Sequence, residues 1–168
     1  MSEIIRGAAR ILPAEVNTDL HCSSKYLPSR DNTYIAQHAF EQVSAGFPAR
    51  FQPGDVIVAG ANFGINSSRE QAVNIMRSMG VAAIVAPSFG RQFYRNAINN
   101  GLALVECEVA RVAESDAVEI DMSAGEVRLP ARALRWSVPP LPAEIRALLA
   151  AGGLISFLKQ HPDWKLNG

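Results

Sequence analysis

Three short apolar runs, Val56–Ala59, Val81–Ala86 and Leu102–Val105, alternate with two stretches of helical period, and this alternation constrains the fold more than any other feature. Short unbroken runs of Val, Ile, Leu and Ala suit strands buried on both faces. Between the first two runs, Ala72, Ile75, Met76 and Met79 fall at i, i+3, i+4 and i+7, an apolar helical stripe. Gly80 stands where a left-handed residue ends such a helix. Between the second and third runs, Pro87-Ser88 opens a predicted helix over about Phe89 to Asn99, stopped by Gly101. Strand, helix, strand, helix, strand implies βαβ units and a local parallel sheet.

The flanking segments read as follows. Ile4–Leu12 is a predicted strand with Gly7 inside it, and Val16–Asp19 a strand end or turn. Cys22 to Asn32 is a loop, and Ile35–Val43 a helix with Thr33 as its cap. Val118–Met122 and Glu126–Leu129 form a hairpin through Ser123-Ala124-Gly125. Pro139–Pro142 is a stiff connector before helical segments at Glu144–Ala151 and Leu154–Gln160. The expected class is α/β, one domain over residues 1–168 with a helical tail over about 143–168.

Composition excludes several roles. With 48% hydrophobic and 19% charged residues the chain is globular, and its 168 residues can bury a core unaided. Sixteen basic and sixteen acidic residues cancel, which argues against a nucleic-acid or membrane-surface partner. No apolar run reaches the roughly 18–20 residues of a bilayer span. The Met1-Ser2-Glu3 start lacks the basic and apolar segments of a secretion signal, so a cytoplasmic location is expected. Two cysteines, Cys22 and Cys107, are too few for a four-thiolate zinc site or for an iron–sulfur cluster held by this chain alone. No metal is expected on it.

The chemistry concentrates in Gly60–Ala72. A loop at the carboxyl end of a buried strand leads into a helix start, the place where open α/β sheets bind ligands. Unpaired amides and the helix dipole favour an anion there. Ser67, Ser68 and Arg69 add two hydroxyls and a guanidinium able to grip a carboxylate with two parallel bonds. A plainer reading stands beside this one. Ser67 and Glu70 form the S-x-x-E capping box, and Arg69 is then a surface charge. Nucleotide binding is disfavoured, because Gly60 and Gly64 do not complete G-x-G-x-x-G and no phosphate-loop Lys is present.

Asn62-Phe63-Gly64-x-x-Ser67-Ser68-Arg69-Glu70 resembles the N-F-G-C-G-S-S-R-E-H signature of the aconitase superfamily's swivel domain. In length the chain is similar to the separate small subunit of isopropylmalate and homoaconitate dehydratases. Asn17-Thr18-Asp19, Tyr26-Leu27, Gly54–Gly60, Ala86–Phe89, Phe93–Asn96, Asn100–Leu102 and Gly152–Ile155 resemble further family blocks, in the family's order. The resemblance implies a swivelling β/β/α layered domain with a mixed sheet. It implies a hydro-lyase that acts on a small hydroxy-dicarboxylate, inactive without a large subunit that carries a [4Fe-4S] cluster. By motif position Ser67 is the base toward carbon, Ser68 shapes the anion pocket and Arg69 binds a substrate carboxylate. Arg30, in the loop after Tyr26-Leu27, is a candidate second clamp. Thr18, Asp19, Asn62 and Gly64 support the site. Dimethylmalate-type and homoaconitase-type dehydratases, and a non-catalytic dicarboxylate-binding module, are the alternatives.

Three departures stand out. Ile65-Asn66 replaces the family's Cys-Gly, and Asn is the non-glycine residue that best tolerates a left-handed backbone. Gln71 replaces the His that usually follows Glu70, and Cys22–Lys25 departs from the Ile-Ile-Pro-rich pattern before Tyr26. His21 and His38 show no partner in the sequence.

Overall fold

The computed structural model describes residues 4–163. Its strands are β1 (Ile4–Leu12), β2 (Val56–Ala59), β3 (Ala83–Ala86), β4 (Ala103–Glu106), β5 (Ala117–Asp121), β6 (Glu126–Leu129) and β7 (Leu134–Ser137). They form one mixed sheet in the order β4-β3-β2-β1-β5-β6-β7. β1 is its spine. Ala9 to Leu12 pair in parallel with Val56 to Ala59, while Ile4 to Ala8 pair antiparallel with Asp121 to Ala117. One strand therefore joins a parallel half to an antiparallel half.

The two faces of β2 explain the layering. Ile57 and Ala59 enter a core with Ala72, Val73, Ile75 and Met76 of helix α4 (Glu70–Met79). Val56 and Val58 enter a second core with Val118, Ile120, Val127 and Leu129 of the antiparallel half. The sheet thus curls so that its antiparallel half covers one face of its parallel half, and helices cover the other. This is the expected β/β/α arrangement, and it is why β2 and β3 read as unbroken apolar runs.

The remaining helices are α1 (Thr18–His21), α2 (Asn32–Ala36), α3 (Phe47–Arg50), α5 (Arg91–Asn99), α6 (Ala143–Ala150) and α7 (Leu154–Gln160). Several differ from the sequence reading. Val16–Asp19 is not a strand end: a four-residue helix starts at Thr18, with the Asn17 side chain accepting from Asp19 N. The helix expected over Ile35–Val43 stops at Ala36, and its cap is Asp31, not Thr33. Phe40 takes a left-handed backbone, φ 62°, and its amide donates to His21 O. Burying that ring beside Phe47 and Phe63 outweighs continuing the helix. α3 and β7 were not legible. α5 starts two residues later than expected, because Phe89 is drawn into a parallel bridge with Phe63. Of the expected tail, α6 and α7 are present, and residues 164–168 lie outside the described residues.

Candidate active site

The segments that follow β1 and β2 leave the sheet at the same end and are tied together by backbone bonds. Glu15 N donates to Ala61 O and Gly64 N to Val16 O, both at 2.8 Å. Phe63 is completely buried and pins the signature loop from below, edge-on to Phe93 at 5.3 Å between ring centres. Such aromatic pairs add about 0.5–1.5 kcal/mol beyond burial. Gly64 lies over Phe93 at φ 78°, and a Cβ there would come within 2.3 Å of that ring. Asn62 is held by Ser88, whose hydroxyl accepts from Asn62 N at 2.9 Å and donates to Asn62 Oδ1 at 3.0 Å. Asn66 does adopt the left-handed backbone, φ 54°, that its place in the motif demands.

Asp19 is the hub. Its buried carboxylate accepts from Ser68 N at 3.1 Å, Ser68 Oγ at 3.1 Å and Arg69 N at 3.0 Å. The capping box read from Ser67 and Glu70 is therefore absent. The N-cap residue of α4 is Arg69, without a side-chain cap bond of its own. A carboxylate from fifty residues upstream holds the two amides leading into the helix, where it also meets the favourable end of the dipole. Those two amides are thus engaged by the chain itself and are not open to an incoming anion.

Ser67 is 3% exposed. Its Oγ accepts from Thr18 N at 2.7 Å and lies 3.5 Å from Asn17 Oδ1 and 3.4 Å from Ile65 O as possible acceptors of its own proton. Thr18 is fully buried, and its Oγ1 has no hydrogen-bond partner among the described residues. Ser68 and Arg69 are exposed. Arg69 Nη1 donates to Ser24 Oγ at 2.9 Å, and Asn96 Nδ2 donates to Ser68 O at 3.1 Å.

The geometry unites Ser67, Ser68, Arg69, Thr18 and Asp19 in one hydrogen-bonded cluster, with Asn62 and Gly64 shaping the loop that carries it. Arg30 is connected only through its loop. Its guanidinium stacks on Tyr34, 4.5 Å from the ring centre. Asn17, Ser24, Gln71, Ser88 and Asn96 were not identified from sequence as site residues. Asn17, Ser88 and Asn96 stood inside matched blocks, but their partners lie 26 to 50 residues away, beyond any local rule. His38 does have a partner, Glu41 Oε2 at 2.8 Å. Burial holds His21 below its ordinary pKa, against a hydrogen bond to the Gln42 side chain that raises it. Burial pushes the Cys22 thiol up, and no group of three or more His, Cys, Asp or Glu among the described residues could hold a metal ion. These residues do not fit an iron–sulfur cluster.

A curled mixed sheet with a serine–arginine loop at the carboxyl end of its parallel half defines a class. The chain belongs to the aconitase C-terminal domain family, which matches residues 15–109. Within it, the chain is 40% identical over 146 residues to the 3-isopropylmalate dehydratase small subunit of Halothermothrix orenii, covering 86% of this chain and 88% of that one. It is 39% identical over 170 residues to 3-isopropylmalate dehydratase small subunit 1 of Methanopyrus kandleri, covering 100% of both. The crystal structure of 3-isopropylmalate dehydratase from Methanocaldococcus jannaschii superposes with a TM-score of 0.85 at 38% identity, covering 95% of each chain.

Proposed function

We propose that this chain is the small subunit of a 3-isopropylmalate dehydratase, the hydro-lyase of leucine biosynthesis, active when joined to a large subunit. The observation that carries the mechanism is the 2.7 Å bond from the Thr18 amide to Ser67 Oγ. A serine takes a proton from carbon only as an alkoxide, which needs fixed donors in a site shielded from water. The Thr18 amide is such a donor and is already in place. Arg69 is exposed, with a hydroxyl and not a carboxylate as its partner, so its full charge is available to a substrate carboxylate. Arg30 supplies the second clamp and Ser68 borders the pocket. Asp19, Thr18, Asn62 and Gly64 hold these groups in place. The [4Fe-4S] cluster of such an enzyme is assigned to the large subunit, where it would supply Lewis-acid chemistry. Leu20, 43% exposed beside Asp19, suits coverage by that partner. The assembly is cytoplasmic in this reading and uses neither nucleic acid nor membrane. No helix among the described residues is long and apolar enough to cross a bilayer.

The test is reconstitution with the large subunit and assay of hydration of the cis-alkene diacid. Ser67→Ala should lower kcat by about 10²-fold or more. Arg69→Lys should raise KM by about tenfold, because the parallel pair of bonds is lost. Wild-type rates in both variants would remove the assigned roles. Faster turnover of a homoaconitate-type or dimethylmalate-type acid would move the chain to that branch.

The burial of Ser67 favours a second reading, in which its hydroxyl is an internal strut and the chain is a non-catalytic dicarboxylate-binding module. Calorimetry separates the two. Tight dicarboxylate binding by the isolated chain, unchanged in Ser67→Ala, supports the module.

A further inference from the structure

We infer that Gln71 is a positioning residue that clasps both ends of the 24–32 loop onto the helix entrance carrying Arg69, so that Arg30 and Arg69 are presented as one unit. This rests on the reading above, because it names a residue that arranges the same site. The loop leaves the core at buried Cys22 and Ser23 and returns at Asn32, the first residue of α2. Gln71, in the first turn of α4, reaches both ends. Its Oε1 accepts from Ser24 N at 2.9 Å, and its Nε2 donates to Asn32 Oδ1 at 2.9 Å. A primary amide can do this because it carries an acceptor and two donors on one short stem. Ser24 N can only donate, so it sets the amide's orientation and leaves Nε2 to donate to Asn32 Oδ1.

A third bond closes the unit. Ser24 Oγ accepts from Arg69 Nη1 at 2.9 Å, so Ser24 is tied to both Gln71 and Arg69. Between the clasped ends lie Tyr26 to Arg30, and Arg30 rests on Tyr34 just beyond. Without the clasp, the loop would keep its internal turns, the start of α2, the packing of Leu27 on the core and the Ser24–Arg69 bond, but nothing that spans its two ends. Arg69 would keep its serine partner only as far as Ser24 stayed in place. A substrate bridging two guanidinium groups gains from having them fixed beforehand, since ordering a loop on binding lowers affinity.

The reconstituted heteromer and the isolated chain are both used. Gln71→Ala removes both bonds. Gln71→Glu keeps the acceptor for Ser24 N, but can bond to Asn32 only if the Asn32 amide turns over to donate through Nδ2. Asn32→Asp keeps an acceptor and serves as the conservative control. In Gln71→Ala, amide hydrogen exchange over residues 24–32 of the isolated chain should quicken by about tenfold, and KM of the heteromer should rise by about tenfold. kcat should stay within about threefold, because the base and its amide donor are untouched. Gln71→Glu should fall between, and Asn32→Asp close to wild type. Unchanged exchange in Gln71→Ala overturns the clasp, and faster exchange with unchanged KM overturns the positioning role. A wild-type heteromer that does not turn over the diacid defeats the proposed activity alone. The exchange comparison then still decides whether the clasp exists.

Discussion

The two ends of the parallel half each bury an aspartate, and they satisfy it in opposite ways. Where β2 begins, Asp55 meets Arg10 at 2.5 Å and accepts from Gln52 N at 2.8 Å. Arg10 also reaches Glu114 at 3.2 Å and Ser115 Oγ at 2.9 Å, and Arg50 reaches Glu114 at 3.1 Å. Two guanidinium groups and two carboxylates close on one another. Where β2 ends, Asp19 has only neutral donors, two amides and a hydroxyl. Arg69, adjacent to that carboxylate in the chain of bonds, turns its guanidinium to a serine at the surface. A self-neutralised network is a clamp. A buried carboxylate held by neutral donors alone leaves the neighbouring cation for a ligand.

The largest expected effect is at the clamp. Arg10 and Asp55 side chains are 11% and 8% exposed, so Asp55→Ala takes from a nearly buried Arg10 its nearest partner, leaves it only Glu114 and Ser115, and should cost about 3 kcal/mol in chemical denaturation. Replacing both, as Arg10→Met with Asp55→Ala, should recover part of that loss. Below its melting temperature the Asp55→Ala heteromer should keep its kcat. An inactive but folded variant would erase the functional distinction between the two ends.

Asp19→Ala should cost less stability, about 2 kcal/mol, since the donors it orphans are neutral and close to the surface. It should nevertheless lower turnover, because Ser68 and the entry to Arg69 lose their anchor. Equal stability losses with full activity would make the second end a clamp as well.

The smallest effect sharpens the contrast through pH. Burial by itself would raise the Glu114 pKa, but the Ile11 amide and the Arg10 and Arg50 guanidinium groups more than offset it and hold it below its ordinary 4.5. A depressed carboxylate contributes stability that is complete above its unfolded value and is lost as pH falls through the folded one. Acid unfolding of the wild type should therefore steepen below about pH 4.5, and Glu114→Gln should flatten that limb. An unaltered acid limb would show that the network's charges are not coupled to folding.

Legibility in the sequence followed the range of the interaction. β2, α4 and β3 were readable because burial on both faces and the i, i+4 stripe are local patterns. β7 was not, although Leu134 and Trp136 face inward between outward Arg135 and Ser137. Pro130 and a short 3-10 turn precede it, and four residues of alternation carry little weight without the partner strand β6. The helix over Ile35–Val43 failed because the pull on Phe40 comes from Phe63, far along the chain. At the site, Asn66 was readable from its tolerance of a left-handed backbone. Asp19 was quoted as a support, but its role as the anchor of a helix entrance fifty residues away was not.

By itself the sequence determined the alternating parallel core, the hairpin beside it, and a serine–arginine loop at the carboxyl end of a buried strand. Those follow from side-chain period, turn residues and local backbone preference. Only the tertiary structure decided which carboxylate holds that loop, which amide faces Ser67, and which side chain ties Arg30's loop to Arg69. Each of those depends on donors and acceptors that meet only when β1 and β2 lie side by side, and chain order carries no record of that distance.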